Sequence, residues 1–170
     1  MTIERTTPAT DTDERSMLEG WLDYHRTTLA MKCEGLDDDR LRTAAVAPSD
    51  LTLLGLVRHM AEVERIWFRK VLTGDDVGPL YFSDEDPDGE FRLSASDTWA
   101  EAHAAWQAEI DAARHNAARF ALDDTHLGTS RLTTRPISLR WIYTHMIEEY
   151  ARHNGHADLI RQCIDGTTGE

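Results

Sequence analysis

The stretch from Ile142 to Cys163 constrains the fold more than any other part of the chain. At alternating spacings of four and three it reads Ile142, Met146, Glu149, His153, His156, Ile160 and Cys163. That period lines all of them along one face of an α-helix and suits no strand. Ser138, following Pro136, offers the N-cap and Gly166 the C-terminal stop, so a helix is predicted from Ser138 to about Asp165. Three polar residues interrupt a seam that must be buried if the helix packs. A carboxylate and two imidazoles there would cost several kcal/mol to desolvate without partners.

The rest of the chain has the same helical grammar. Leu18, Trp21, Leu22 and Leu29 recur at helical spacing between Glu14 and Cys33, closed by Gly35. A second helix starts at a Ser49 or Asp50 cap and runs to about Thr73, before Gly74. A third is capped by Ser96 and continues to about Leu122, with Trp99, Trp106, Ala113 and Phe120 at sevens. Residues 1–12 are polar and aperiodic and are expected to be a loose tail; RLTT at 131–134 is faintly strand-like. Four long amphipathic helices without a convincing strand pattern predict one all-α domain over residues 1–170, a four-helix bundle. The segment between the second and third helices is a long crossover rich in Gly, Pro and Asp. It carries Leu80, Tyr81, Phe82 and Phe91, which either pin it to the bundle or make a binding loop in which Tyr81 meets substrate.

Composition narrows the function classes. A formal charge of −13, without a basic patch interleaved with aromatics, argues against nucleic acid as a partner. No apolar run approaches a membrane span and the N-terminus shows no export signal, so a cytoplasmic protein is expected. Cys33 and Cys163 are too few and too far apart for a zinc knuckle or redox pair and read as buried free thiols.

Glu149 and His153 stand one helical turn apart, a spacing that lets both grip one ion. A third donor comes from the second helix, whose seam reads Leu56, His59, Val63 and Ile66, with His59 its one polar member. His59, Glu149 and His153 together make two imidazoles and a carboxylate, a set that suits a divalent metal with open coordination positions. Zinc is the first expectation; nickel, iron and manganese suit the same donors. His156 is read as a group beside the metal, a proton carrier or hydrogen-bond partner. His25 and His103 fall on inner seams, where each either lines the pocket or is a hydrogen-bonded core histidine. Arg152 either holds an anionic substrate or pairs with Glu148 or Glu149. His145 drifts off the seam as a packing or supporting residue, and His115 and His126 are expected to be exposed. No Glu-x-x-His, HExxH, phosphate loop or nucleophile elbow occurs.

The segments WLDYHRTTL, LTLLGLVRHMAEVERIWFRKVL and HMIEEYARHNGHADLIR resemble the DinB-like bundle superfamily, and the likeness extends from about residue 14 to the end. The chain is most similar to an actinobacterial branch that includes mycothiol-dependent S-transferases. Bacillithiol S-transferases and mycothiol-dependent maleylpyruvate isomerases are more distant. The resemblance implies one histidine from the second helix and two ligands one turn apart on the fourth, which fall on His59, Glu149 and His153. Many relatives carry histidine where this chain has Glu149, and the maleylpyruvate isomerases carry glutamate.

The expected function is therefore a metal-dependent transferase that joins a low-molecular-weight thiol, mycothiol-like, to electrophilic small molecules in detoxification, with His156 accepting the thiol proton. The alternatives are a hydrolase or isomerase that activates water on the same ligands, or a non-catalytic metal-binding stress-response protein. A homodimer fits a bundle of this kind.

Overall fold

The computed structural model describes residues 3–126 and 135–169. Its helices are α1 (Glu14–Cys33), the short α2 (Asp38–Leu41), α3 (Leu53–Arg65), α4 (Trp99–Ala117) and α5 (Leu139–Asp165). A two-residue antiparallel ladder joins β1 (Thr125–His126) to β2 (Ile137–Ser138). The strand-like RLTT lies outside the described residues. The long helices form the predicted all-α bundle. α1 lies along α5, α3 lies along α4, and α3 also meets α5, which brings the second and fourth predicted helices together. Leu22, Leu29, Leu56, Met60, Trp106, Ile110, Ile142 and Met146 fill the space between them.

The first and last predicted helices keep their expected ends. Asp13 caps α1 by accepting from the Ser16 amide, and Ser138 caps α5 by accepting from Trp141. Gly166 closes α5 at φ 77°, where a side chain would be strained.

The middle helices depart from the prediction. Thr52 caps α3 in place of Ser49 or Asp50, because its Oγ1 takes the Gly55 amide while Ser49 is used in a turn onto Val46. Thr98 caps α4 in place of Ser96: its hydroxyl accepts from the Glu101 amide and donates to the Glu101 carboxylate, whereas Ser96 bonds Ser94. α4 stops at Ala117, after which i→i−3 bonds turn the chain and bring Phe120 and Leu122 onto the core. α3 winds as α-helix only to Arg65 and continues as a π-helical turn, Ile66–Val71. Trp67 and Phe68 are both buried in that turn, which a regular period would not arrange.

The N-terminal segment, expected to be loose, is tied to α1. The Ile3 amide donates to Glu34, Arg5 donates to Thr28 and lies over the Tyr24 ring, and Pro8 packs on Gly20. Cys33 is buried as expected, and burial pushes its thiol up to about 12. Cys163 is exposed, contrary to expectation: the inward seam ends at Ile160, because Arg161 reaches across the end of α1 to the carbonyls of Lys32 and Glu34.

One polar network crosses the core and touches all four long helices. Glu64 of α3, fully buried, accepts from Arg26 of α1 through both carboxylate oxygens at 2.8 and 2.7 Å. The Tyr150 hydroxyl of α5 donates to Glu64 at 2.7 Å, and the Trp106 indole of α4 donates to that hydroxyl at 2.7 Å. Tyr150, the residue after Glu149, is thus a core residue. Each member is satisfied, which is the condition for burying a charge.

Candidate metal centre and its cleft

His59 sits in mid-α3 because the seam Leu56–Val63 around it is buried, and the α3–α5 packing brings it to Glu149 and His153. One ligand atom from each of the three lies within 4.8 Å of the others. His153 Nε2 is 3.4 Å from Glu149 Oε2, and the His59 and His153 rings are 4.6 Å apart at 65°. Two donors bonded to one ion at about 2.1 Å and near-tetrahedral angles lie about 3.4 Å apart. The His153–Glu149 separation has that value and is long for a hydrogen bond. The donor types and their spacing therefore fit one divalent cation. The side chains are 21%, 20% and 13% exposed for His59, Glu149 and His153, sheltered yet open on one side.

His145, Glu148 and Glu149 also come close enough to share an ion. Glu148, however, is 47% exposed and already paired with Arg152, and His145 is packed between the rings of Trp67 and Trp141. Glu149 therefore belongs with His59 and His153. The polar His153 imidazole beside it, opposed by burial, holds the Glu149 carboxyl below its ordinary range, so it is an ionised donor at neutral pH.

Two of the three donors, His59 and Glu149, open on a cleft of about 700 Å³ between α3 and the crossover segment. His59, Glu149 and His145 line one part of it. Val63, Ile66, Trp67, Val77, Pro79 and Phe82 make an apolar wall, and Lys70 and Glu85 contribute charge. The crossover is fastened to one face of α3. Glu62 Oε1 accepts from the Leu80 and Tyr81 amides at 2.6 Å, Arg65 donates to the Gly78 carbonyl at 2.7 Å, and Arg58 donates to Gly89 and lies over the Tyr81 ring. Burial raises the Glu62 carboxyl, partly countered by those amides. A smaller cavity of about 280 Å³, lined by Asp23, Arg26, Arg114 and Tyr143 among others, lies away from the donors.

The sequence-predicted neighbours divide. His156 touches the centre: its Nδ1 is 3.4 Å from His153 Nδ1, and burial together with His153 lowers it from the ordinary imidazole value. The three residues expected to contact substrate lie elsewhere than on the described cleft lining. His25 packs on Trp21 and Tyr24 and takes hydrogen bonds from Asn154. Arg152 is 61% exposed and held by Glu148. Tyr81 is covered by Arg58, and its neighbour Phe82 faces the cleft instead. His103 packs between Trp99 and Trp106 and borders a separate cavity. His115 is exposed as expected, and the side chain of His126 lies outside the described residues.

His145, expected to be a packing or supporting residue, packs between Trp67 and Trp141 and lies with Nε2 3.4 Å from Glu149 Oε1; it also lines the cleft, which the period does not foretell. Glu90, in a 3-10 turn (Gly89–Phe91) of the crossover, places Oε1 3.1 Å from His59 Nδ1, and Phe91 stacks on the same imidazole. Long-range placement of a loop residue has no periodic signature. The conjunction of Gly89, Glu90 and an aromatic in a long crossover is the one local hint.

A comparison with curated proteins gives no match. No described helix is long and apolar enough to cross a membrane. The family model described as Mycothiol-S-transferase matches residues 17–166, a span that contains all four long helices but the first turn of α1, along with the three donors, the cleft and the crossover. With a match over nearly the whole chain and the bundle that the resemblance implied, this protein belongs to the mycothiol S-transferase family of the DinB-like superfamily.

Proposed function

We propose that the protein is a divalent-metal-dependent S-transferase that joins a low-molecular-weight thiol of the mycothiol type to an electrophilic small molecule. The observation that carries this reading is the meeting of His59, Glu149 and His153 at the edge of a partly apolar cleft in a chain of this family. These three residues would hold the ion, with zinc the first candidate for two imidazoles and a carboxylate. An ion held there would supply positive charge that favours a thiolate over a thiol whose ordinary pKa is about 8.5.

The chain's own residues do the rest. Val63, Ile66, Trp67 and Phe82 offer apolar contact area that orients an electrophile's carbon skeleton beside the donors and excludes water from it. His145 opens on the cleft and lies against Glu149, so it is the imidazole placed to take the thiol proton. His156, the acceptor expected from the sequence, meets His153 and supports that ring's position. The bond formed joins sulfur to the electrophilic carbon, the leaving group departs with the electron pair of the broken bond, and the thiol proton passes to His145.

The test is conjugation of mycothiol to monochlorobimane by purified protein supplied with zinc. Turnover above the uncatalysed rate, lost on chelation and in His153→Ala, is expected. Equal rates with and without protein would refute the transferase reading.

A further inference from the structure

Glu90 is aimed at the candidate metal centre from outside the donor triad. Its side chain is 9% exposed, Oε1 lies 3.1 Å from His59 Nδ1, and Oε2 is buried without a hydrogen-bond partner. The next residue, Phe91, stacks on the face of the same imidazole at 5.2 Å and 28°. One edge and one face of His59 are thus fixed by consecutive residues of the crossover, while its ring meets His153 at 4.6 Å. A glutamate carboxylate at neutral pH can only accept, so the His59 Nδ1 that lies 3.1 Å from it must carry the proton, and the lone pair is left on Nε2.

We propose that Glu90 is a positioning residue that holds His59 as its Nδ1–H tautomer, with Nε2 free to ligate, so that the crossover segment is part of the metal site. The inference rests on the reading that His59, Glu149 and His153 bind a cation. A carboxylate behind a ligating imidazole fixes the ring's orientation and raises its basicity, and loss of such a partner weakens metal binding 10–100-fold. The crossover that carries Glu90 also forms the outer wall of the cleft. Cation binding and docking of that wall therefore strengthen each other by the same factor, as linkage requires.

The geometry of the turn supports a built contact. A Cβ on Gly89 would lie 2.3 Å from the Tyr81 carbonyl oxygen, so the crossover closes on itself at the residue before Glu90 in a way that admits only glycine. Arg58 donates to the Gly89 carbonyl and pairs with Asp97, which anchors the turn from α3.

Two measurements test the proposal on wild type, Glu90→Gln and Glu90→Leu. The first is the tautomer of His59 in metal-free, 15N-histidine-labelled protein above the imidazole titration range, assigned by difference with His59→Gln. Wild type shows Nδ1–H, Glu90→Gln retains it through the amide oxygen, and Glu90→Leu loses it. The second is zinc affinity by competition with a chromophoric chelator. Glu90→Leu weakens it by roughly 10–100-fold and Glu90→Gln by less, whereas Glu62→Gln, which alters another anchor of the crossover, changes it less than about threefold. An Nε2–H tautomer in wild type, an unchanged zinc affinity in Glu90→Leu, or an equal loss in Glu62→Gln overturns the proposal. A wild type that binds no zinc refutes the metal reading itself, and the tautomer spectra still decide whether Glu90 sets the ring.

Discussion

Replacing Glu64 by leucine strands a buried guanidinium. Glu64 is fully buried and accepts two hydrogen bonds from Arg26 and one from Tyr150. Removing one partner of a buried ion pair costs about 3–5 kcal/mol. Asp23 remains 2.9 Å from Arg26 and compensates part of the charge, so the lower half of that range, about 3–4 kcal/mol, is expected for Glu64→Leu. For a chain of this length the loss amounts to a drop of roughly 10 °C in Tm. The double variant Arg26→Met with Glu64→Leu removes both charges and should regain at least about 2 kcal/mol of the loss, because a buried pair and an apolar replacement are often nearly equivalent. The assay is urea unfolding followed by circular dichroism in the presence of a chelator, so that metal binding does not enter. A Glu64→Leu penalty below about 1 kcal/mol, or a double variant no more stable than the single one, would refute the network's assigned role.

Other perturbations read other parts of the structure. Burial, then Arg5, holds His25 below the ordinary imidazole value, and burial does the same for His103. The unfolded chain then binds more protons than the folded one as pH falls below about 6.5, so stability present above that pH is lost through it. The fall in urea midpoint between about pH 7.5 and pH 5 should narrow in His25→Asn and in His103→Asn. Gly89→Ala forces the crossover off the Tyr81 carbonyl and should destabilise the protein by about 1–3 kcal/mol while weakening zinc affinity, both measurable in one titration series. His145→Gln should lower kcat for bimane conjugation by roughly 10²-fold or more with metal content intact, while His156→Gln has a smaller effect. Equal losses in the two variants would reject His145 as the proton acceptor.

What the sequence made legible was whatever repeats with the helix. The ends of α1 follow from its apolar spacing and Gly35, those of α5 from Ser138 and Gly166, and the convergence of His59, Glu149 and His153 follows from polar residues standing on apolar seams. Where winding changes, period fails: the π-helical turn after Arg65 buries both Trp67 and Phe68, and the seam of α5 ends before Cys163 because Arg161 closes over α1. Caps were misplaced when several Ser, Thr and Asp residues competed, and Thr52 and Thr98 won by hydrogen-bond geometry that composition does not encode. Glu90 was invisible as a site residue, and Phe91 stood out only as one aromatic of a candidate binding loop, because a crossover places both by long-range contacts. Glu64 was hidden for a related reason, since its partners Arg26 and Tyr150, and Trp106 that donates to Tyr150, come from three other helices.

The central claim is that one cation joins α3 to α5 through His59, Glu149 and His153. Metal content by plasma mass spectrometry, on protein equilibrated with zinc and freed of excess, tests it most directly beside His59→Ala and His153→Ala. The account predicts about one equivalent of zinc per wild-type chain and under about a tenth of that in either variant, with helical content preserved. Zinc retained at the wild-type level by His59→Ala would contradict it.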